Sequence, residues 1–210
     1  EELDLDATLA SGQVFRWRRE PSGAWRGTLG RRRVLLRAGD GGRSLSWQAD
    51  GPDPEAAVRA FLRLDDADLG ADAARWRADD PAFAAAWARQ SGVRILRQPR
   101  TECLLSFLCA TAAPIRRIAA MCDALAAEAG DDLGDGWRAF ADPERLARVP
   151  ESRLRALGLG FRAPRVLAAA RRLAADPDLL ERIPAGERDA VQEALRPFDG
   201  VGPKVADCVA

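Results

Sequence analysis

The sequence predicts an α+β protein: an N-terminal antiparallel β-sheet domain with helices over residues 1–97, then an all-helical domain over residues 98–210. Three observations carry this expectation. Before Pro54, short stretches alternate apolar and polar residues between Gly- and Pro-rich turns, as half-buried strands do. Beyond Gln98 the apolar residues fall instead at helical spacing. At 210 residues, with 47% hydrophobic and 30% charged, the chain has the length and mixture for one large domain or two small ones.

The elements follow in order. Gln13-Val14-Phe15-Arg16-Trp17-Arg18 alternates and reads as a strand. Pro21-Ser22-Gly23 is a turn, after which Trp25 to Leu29 pairs back. Arg33 to Arg37 and Ser44 to Trp47 flank a Gly-rich turn at Gly39 to Gly42, which completes an antiparallel meander. Asp53-Pro54 is an N-cap with proline at the first helical position, and Val58, Phe61 and Leu62 share one face of that helix. Two further helices run from about Asp72 to Ala78 and from Pro81 to Gln90. Thr101 to Thr111 is apolar nearly all round, so that helix is buried. Pro114 opens a helix carrying Ile115, Ile118, Met121, Cys122 and Leu125. Shorter helices start at Asp142 and Glu151, the latter ending at Gly158. Pro164 to Ala175 and Glu187 to Leu195 are amphipathic, and a last helix begins at Pro203.

Composition excludes several kinds of chemistry. Histidine is absent, which removes Ser-His triads, His-ligated zinc and imidazole acid–base catalysis. Cys103, Cys109, Cys122 and Cys208 lack the spacing of a zinc or iron–sulfur site. The first three sit in apolar helical patterns and read as small buried hydrophobes in a reducing compartment. No apolar run reaches the roughly 20 residues of a membrane span. The start, Glu1-Glu2-Leu3-Asp4, has no signal-peptide pattern. With no initial methionine and an end at Ala210 inside an apparent helix, the sequence reads as a fragment. Net charge is zero, from 32 basic and 32 acidic residues, so any case for nucleic acid rests on local patches. Lys204 is the only lysine; every other basic residue is arginine.

That lysine lies in the segment Gly200-Val201-Gly202-Pro203-Lys204-Val205-Ala206-Asp207-Cys208, a helix–hairpin–helix. Its glycines permit positive φ and close backbone approach. Their N–H groups and the following helix N-terminus can hold an anion such as a DNA phosphate. An ordinary αα-corner fits the same glycine pattern. Lys204, in the first turn of the second helix, is expected to have a lowered pKa from the helix dipole and burial, which favours the neutral amine that attacks carbon. Arginine cannot form a Schiff base. A phosphate contact, or chance survival, is the alternative reading of Lys204. From Ser152 to Ala175 there are six arginines (Arg153, Arg155, Arg162, Arg165, Arg171, Arg172) and no acid. Phe161 stands beside Arg162, just after Gly158-Leu159-Gly160. Arginines with an aromatic at a glycine turn suit DNA-backbone contact with insertion between bases; a solvated basic helix face has the same composition.

Four colinear blocks resemble the 8-oxoguanine DNA glycosylases of the eukaryotic-type branch, within the helix–hairpin–helix/GPD superfamily: Leu5 to Trp17 (LDATLASGQVFRW), Val93 to Ala110 (VRILRQPRTECLLSFLCA), Leu154 to Arg162 (LRALGLGFR) and Gly200 to Cys208 (GVGPKVADC). The first is similar to the family's opening strand. The resemblance implies a base-excision-repair glycosylase with AP lyase activity, which flips 8-oxoguanine out of duplex DNA and excises it through a lysine Schiff base. It implies no cofactor and no metal, duplex DNA with oxidised guanine opposite cytosine as partner, action as a monomer away from membranes, and, in a prokaryote, a place in the nucleoid-associated cytoplasm. Lys204 matches the nucleophile. Gly12 matches the glycine whose carbonyl accepts the N7–H of the oxidised base, and Cys208 a pocket cysteine. Arg117 and Arg162 match the arginines that read the orphaned cytosine, and Phe161 an aromatic wedge. Gly200, Val201 and Gly202 match the DNA-binding hairpin.

The sequence departs from the family's pattern at three places. Ala112-Ala113-Pro114 stands where the family has an asparagine-rich run, one member of which fills the hole left by the flipped base. Asp199 replaces a proline. The family's catalytic aspartate lies beyond the lysine helix, and no acid in this sequence matches it. Other readings are an alkylpurine glycosylase of the same superfamily, which needs no lysine, and a non-catalytic or inactive helix–hairpin–helix DNA-binding fragment. A metal-cluster endonuclease of the superfamily would carry a C-terminal cysteine cluster.

Overall fold

In the computed structural model, residues 3–65, 69–183 and 187–209 are described; Glu1, Glu2 and Ala210, on which the readings of the chain's ends rest, lie outside them. The contacts divide the chain into two units, Glu1–Gly27 with Arg32–Arg97, and Thr28–Arg31 with Gln98–Ala210.

The first unit opens with α1 (Leu5–Ala10), capped by Asp4, whose Oδ1 accepts a hydrogen bond from the Ala7 N–H at 2.8 Å. Strands β1 (Arg18–Arg19), β2 (Trp25–Leu29), β3 (Arg32–Gly39) and β4 (Ser44–Ala49) form a sheet in sequential order, the predicted meander. β1 pairs antiparallel with β2, and β3 with β4. Helices α2 (Pro54–Leu62), α3 (Leu69–Asp79) and α4 (Pro81–Arg89) follow. Asp53 caps α2, and Val58, Phe61 and Leu62 are buried, as the pattern predicted. The Trp17 and Phe61 rings stack at 5.1 Å between centroids. Gly27 must be glycine because a Cβ there would fall 2.3 Å from the Trp17 ring.

The expected strand at Gln13–Arg18 shrinks to Arg18–Arg19, and α1 occupies part of the block read as an opening strand. Alternating burial of Phe15 and Trp17 is present, but no strand pairs with the segment. Side chains take the place of ladder hydrogen bonds. Gln13 Nε2 donates to the Arg94 carbonyl and Gln13 Oε1 accepts from the Leu96 N–H, each at 2.9 Å.

The second unit is built on α5 (Arg100–Cys109), whose Leu104, Leu105 and Leu108 are no more than 1% exposed. Burying each contributes about 2 kcal/mol. After α5 come α6 (Ile115–Ala129), β5 (Gly130–Gly134), β6 (Trp137–Ala141), α7 (Pro143–Ala147), α8 (Glu151–Leu154), a π-helical turn at Arg155–Leu159, a 3-10 turn at Gly160–Arg162, α9 (Ala163–Ala175), α10 (Arg188–Leu195) and α11 (Pro203–Val209). α5 packs against α6, α9 and α11, and is buried as its all-round apolar pattern predicted.

The expectation of an all-helical domain from residue 98 is corrected by the β5–β6 hairpin. Its two-residue loop, Asp135-Gly136, has φ of 51° and 71°, the double positive φ of a type I′ turn. Asp-Gly is the sequence signal for that turn. A Cβ on Gly130 would sit 2.2 Å from the Ala139 carbonyl oxygen, so only glycine admits the return strand. Ile115, expected on the core face of α6, is 53% exposed in the helix's first turn. No helix among the described residues is long and apolar enough to cross a membrane.

Candidate active site

The hairpin between α10 and α11 is anchored from below. Phe198 and Val201 are buried, and the Val201 N–H donates to the Phe198 carbonyl at 3.0 Å. Gly200 has φ of 88°, and a Cβ there would lie 2.7 Å from Arg165 Cδ, so α9 packs directly on the turn. A Cβ on Gly202 would meet open space. The Gly202 carbonyl accepts from the Ala206 N–H at 2.9 Å and starts α11.

Lys204 lies in the first turn of α11 and is exposed, so the burial expected of it is absent. Among the described residues no acid pairs with it. Asp207, three residues on, is occupied. It accepts from Arg188 Nε at 2.8 Å, from Arg188 NH2 at 2.5 Å and from Gln192 Nε2 at 2.6 Å. These bonds, those from Arg188 first and then that from Gln192, hold its carboxyl down to about 2. They fasten α11 to α10 and leave this acid no part in proton transfer at neutral pH.

Cys208 is exposed one turn beyond Lys204, on the same face. Beneath it, the buried Cys103 thiol donates to the Cys208 carbonyl at 3.5 Å. Burial foremost, with the nearby Cys208 and Glu102, pushes the Cys103 thiol up to about 12. Cys103, Cys109 and Cys122 are buried and reduced, as their apolar patterns predicted. The Cys109 thiol is raised by its hydrogen bond with Cys122 and by burial.

A second cluster surrounds the Gly158-Leu159-Gly160 turn. Gly158 and Gly160 have φ of 93° and 58°, and a Cβ on either would meet open space. This backbone reversal leaves Phe161 53% exposed and turns Arg162 inward to 2% exposure. Arg162 Nε donates to the Thr111 carbonyl at 2.9 Å; NH2 donates to the same oxygen and, at 3.1 Å, to that of Ala112. Its guanidinium lies 4.3 Å from the Phe161 ring centroid. Burial, and secondarily the charge of Arg117, lower the Arg162 pKa. Arg117 is exposed in the first turn of α6. Ala112, where the family carries asparagine, has φ of 50°, the left-handed conformation that asparagine tolerates better than alanine.

The arginine stripe is less free than its sequence implied. Arg153 pairs with Glu128 at 2.8 Å and Arg155 with Glu151 at 2.7 Å, and Arg165 meets Asp199 at 3.7 Å. Arg172 lies over the Phe198 ring at 5.1 Å. Glu128 and Asp199, distant in sequence, and Glu151, one helical turn away, oppose charge that looked like an unopposed run.

Gly12 belongs to the first unit and has φ of 85°. The segment around it is fixed by side chains. The Ser11 hydroxyl donates to the Thr8 carbonyl at 2.8 Å, Gln13 bridges to residues 94 and 96, and Thr8 Oγ1 accepts the Arg94 N–H at 3.1 Å. A cavity of about 340 Å³ also lies in this unit, lined by Asp4, Asp6, Arg19 and Trp25 among others, and includes none of the expected site residues. Its polar groups are already used: Asp6 accepts from Trp25 Nε1 at 2.6 Å and pairs with Arg19 at 3.2 Å. Within the second unit, then, the fold brings together Gly200, Val201, Gly202, Lys204 and Cys208, and separately Arg117, Phe161 and Arg162. The Thr111–Ala112 carbonyls escaped sequence reasoning, because backbone acceptors leave no motif.

Residues 1–104 match the model of the 8-oxoguanine DNA glycosylase N-terminal domain. Over its full length the chain is 34% identical to N-glycosylase/DNA lyase OGG1 of Arabidopsis thaliana, of which it spans 60%. The chain is thus similar to the 8-oxoguanine DNA glycosylases. A second glycosylase of this family, the N-glycosylase/DNA lyase of Saccharomyces cerevisiae, is 36% identical over 64% of this chain and 39% of its own length. The chain thus spans about half the length of these curated relatives. The fold is that of the 8-oxoguanine glycosylase/lyase of Clostridium acetobutylicum, solved with double-stranded DNA containing cytosine opposite 8-oxoG. That structure superposes with a TM-score of 0.87 at 26% identity, over 99% of this chain and 71% of that one.

Proposed function

We propose that this chain carries the DNA-binding and nucleophilic parts of a bifunctional base-excision-repair glycosylase/AP lyase acting on 8-oxoguanine opposite cytosine. The observation that carries the reading is the exposed Lys204 in the first turn of α11, directly after the glycine hairpin and on one face with Cys208. The hairpin N–H groups grip a phosphate of the damaged strand. The flipped base enters beside Cys208. The neutral Lys204 amine attacks C1′ as the C1′–N9 bond breaks and the base leaves with a proton. Opening of the sugar ring gives the protonated imine, and loss of a C2′ proton expels the 3′-phosphate by β-elimination. Asp207 takes no part, since Arg188 and Gln192 hold it. Arg117, Arg162 and Phe161 form the surface toward the orphaned base. The protein acts as a monomer, without cofactor or metal, and in a prokaryote at the nucleoid.

Borohydride trapping on a duplex with 8-oxoguanine opposite cytosine tests this. A covalent adduct is expected, and Lys204→Gln abolishes it. An adduct on an abasic duplex alone assigns lyase chemistry to this chain and base excision elsewhere. No adduct from folded protein on either duplex supports the binding-only reading.

A further inference from the structure

The first turn of α11 carries an amine and the second turn an acid. Residues three apart on a helix are neighbours, so the nearest candidate partner of the exposed Lys204 along α11 is the Asp207 carboxylate. That ion pair is not made. Asp207 turns to α10 instead. Arg188 donates to both of its oxygens, at 2.8 and 2.5 Å, and Gln192 donates to one of them at 2.6 Å. Arg188 and Gln192 are four residues apart on α10 (Arg188–Leu195), so one face of that helix presents both to the same carboxylate. The other charged or titratable groups about this turn act elsewhere. Asp189 acts on Arg188, and on α5 Glu102 acts on Cys103, which lies beside Cys208.

We propose that Arg188 is a positioning residue for Lys204: with Gln192 it draws the Asp207 carboxylate onto α10, and so keeps the Lys204 amine from being held as the cation of an ion pair. The proposal rests on reading Lys204 as the nucleophile. An amine attacks carbon only without its extra proton, and a free carboxylate beside it keeps that proton on nitrogen. Arg188 removes the carboxylate as a partner and cancels its charge. Its planar fork also fixes the carboxylate's direction, which a single point contact would not do. A neutral residue at position 207 would spare the amine too, but it would not fasten α11 to α10 through charge-assisted bonds. The arrangement keeps the acid's hold on the helix and removes its pull on the amine. A latch that only held α11 in place would disturb Lys204 in one direction whichever partner was lost. Screening gives opposite directions. Without Arg188 the carboxylate is released toward the amine; without Asp207 the amine is left with the guanidinium's positive charge nearby.

Lys204 is the only lysine, so reductive methylation with carbon-13 formaldehyde places one labelled side-chain amine on the chain. Its NMR shift against pH reads its protonation without DNA. Relative to wild type, Arg188→Ala is expected to raise the protonation constant about two-fold, the worth of one ion pair on a helix. Asp207→Asn lowers it by a similar factor, and the double variant returns it to the wild-type value. Borohydride trapping of the unlabelled proteins on a preformed abasic duplex at pH 7 follows the same order: slower for Arg188→Ala, faster for Asp207→Asn, restored in the double variant. Arg188→Gln replaces Arg188→Ala if the latter does not fold. If both single replacements move the protonation in one direction, or neither moves it, Arg188 only holds α11 in place and the proposal fails. If the double variant titrates as Arg188→Ala does, Asp207 is not the group being screened and the proposal fails. If the titrations show the opposite directions while no protein, wild type included, is trapped on any duplex, the screening of Lys204 stands and the proposed function fails.

Discussion

Two glycine turns in the helical unit share one pattern, Gly-x-Gly, and use it for different reasons. At Gly158-Leu159-Gly160 both glycines take positive φ, and beyond each Cα there is open space. At Gly200-Val201-Gly202 the first glycine has positive φ and α9 lies against it, whereas the second has no positive φ and faces open space. The first turn is thus a matter of backbone conformation: it reverses the chain so that Phe161 points out and Arg162 in. The second is a packing joint on its inner side and a bare approach surface on its outer side. The same two letters therefore mark three demands, namely φ, contact with a neighbouring element, and room for a ligand.

Alanine substitutions separate these demands. Gly200→Ala combines a left-handed alanine with a Cβ pressed on Arg165, so it is expected to lower stability by about 2 kcal/mol. Gly158→Ala carries the conformational cost alone, about 1 kcal/mol. Urea unfolding of the pair reads the difference; equal losses would mean Arg165 swings aside freely. The hold of α10 on α11 predicts a smaller, pH-dependent effect. The Asp207 carboxyl is held near 2, below its unfolded value of about 3.9, so its contribution is complete above pH 4 and is lost as pH falls through about 2. Thermal melts of Asp207→Asn should lie below wild type at pH 6 and converge with it near pH 2. Gly202→Ala is expected to change stability least, within about 0.5 kcal/mol. It should nonetheless weaken DNA binding, since its methyl occupies the surface a phosphate must approach. A loss of stability without a loss of affinity would place Gly202 in the packing class with Gly200.

Much of this was legible in the residues. The β2–β4 meander, the Asp53 and Asp142 caps and the buried α5 all follow from alternation, capping chemistry and an apolar helix surface. The lysine hairpin was visible because glycine, proline and a solitary amine each carry chemistry in their identity. The misses have physical causes. The segment Gln13–Trp17 buries alternate residues without being a strand: the Arg18 guanidinium donates to the Phe15 and Trp17 carbonyls, and Gln13 reaches residues 94 and 96 through its side chain. The β5–β6 hairpin was signalled by Asp135-Gly136 but lies between long helices whose periodicity dominated. The arginine stripe looked unopposed because Glu128 and Asp199 reach it from 25 and 34 residues away in sequence. Whether an arginine faces DNA or its own backbone depends on which carbonyls the fold brings to it, and sequence does not record that.

The exposed amine of Lys204 is also the only side-chain amine in a chain that otherwise uses guanidinium. Aldehydes condense with amines and not with a permanently protonated guanidinium. An opened deoxyribose therefore finds a single side-chain address on this protein. Where a lysine-rich DNA-binding surface would scatter reductive cross-links over many positions, here the chemical background is nearly empty. A trapped adduct needs little mapping: a peptide digest with one modified side chain reports the reaction directly, and the arginine bias that supplies charge elsewhere keeps that signal clean.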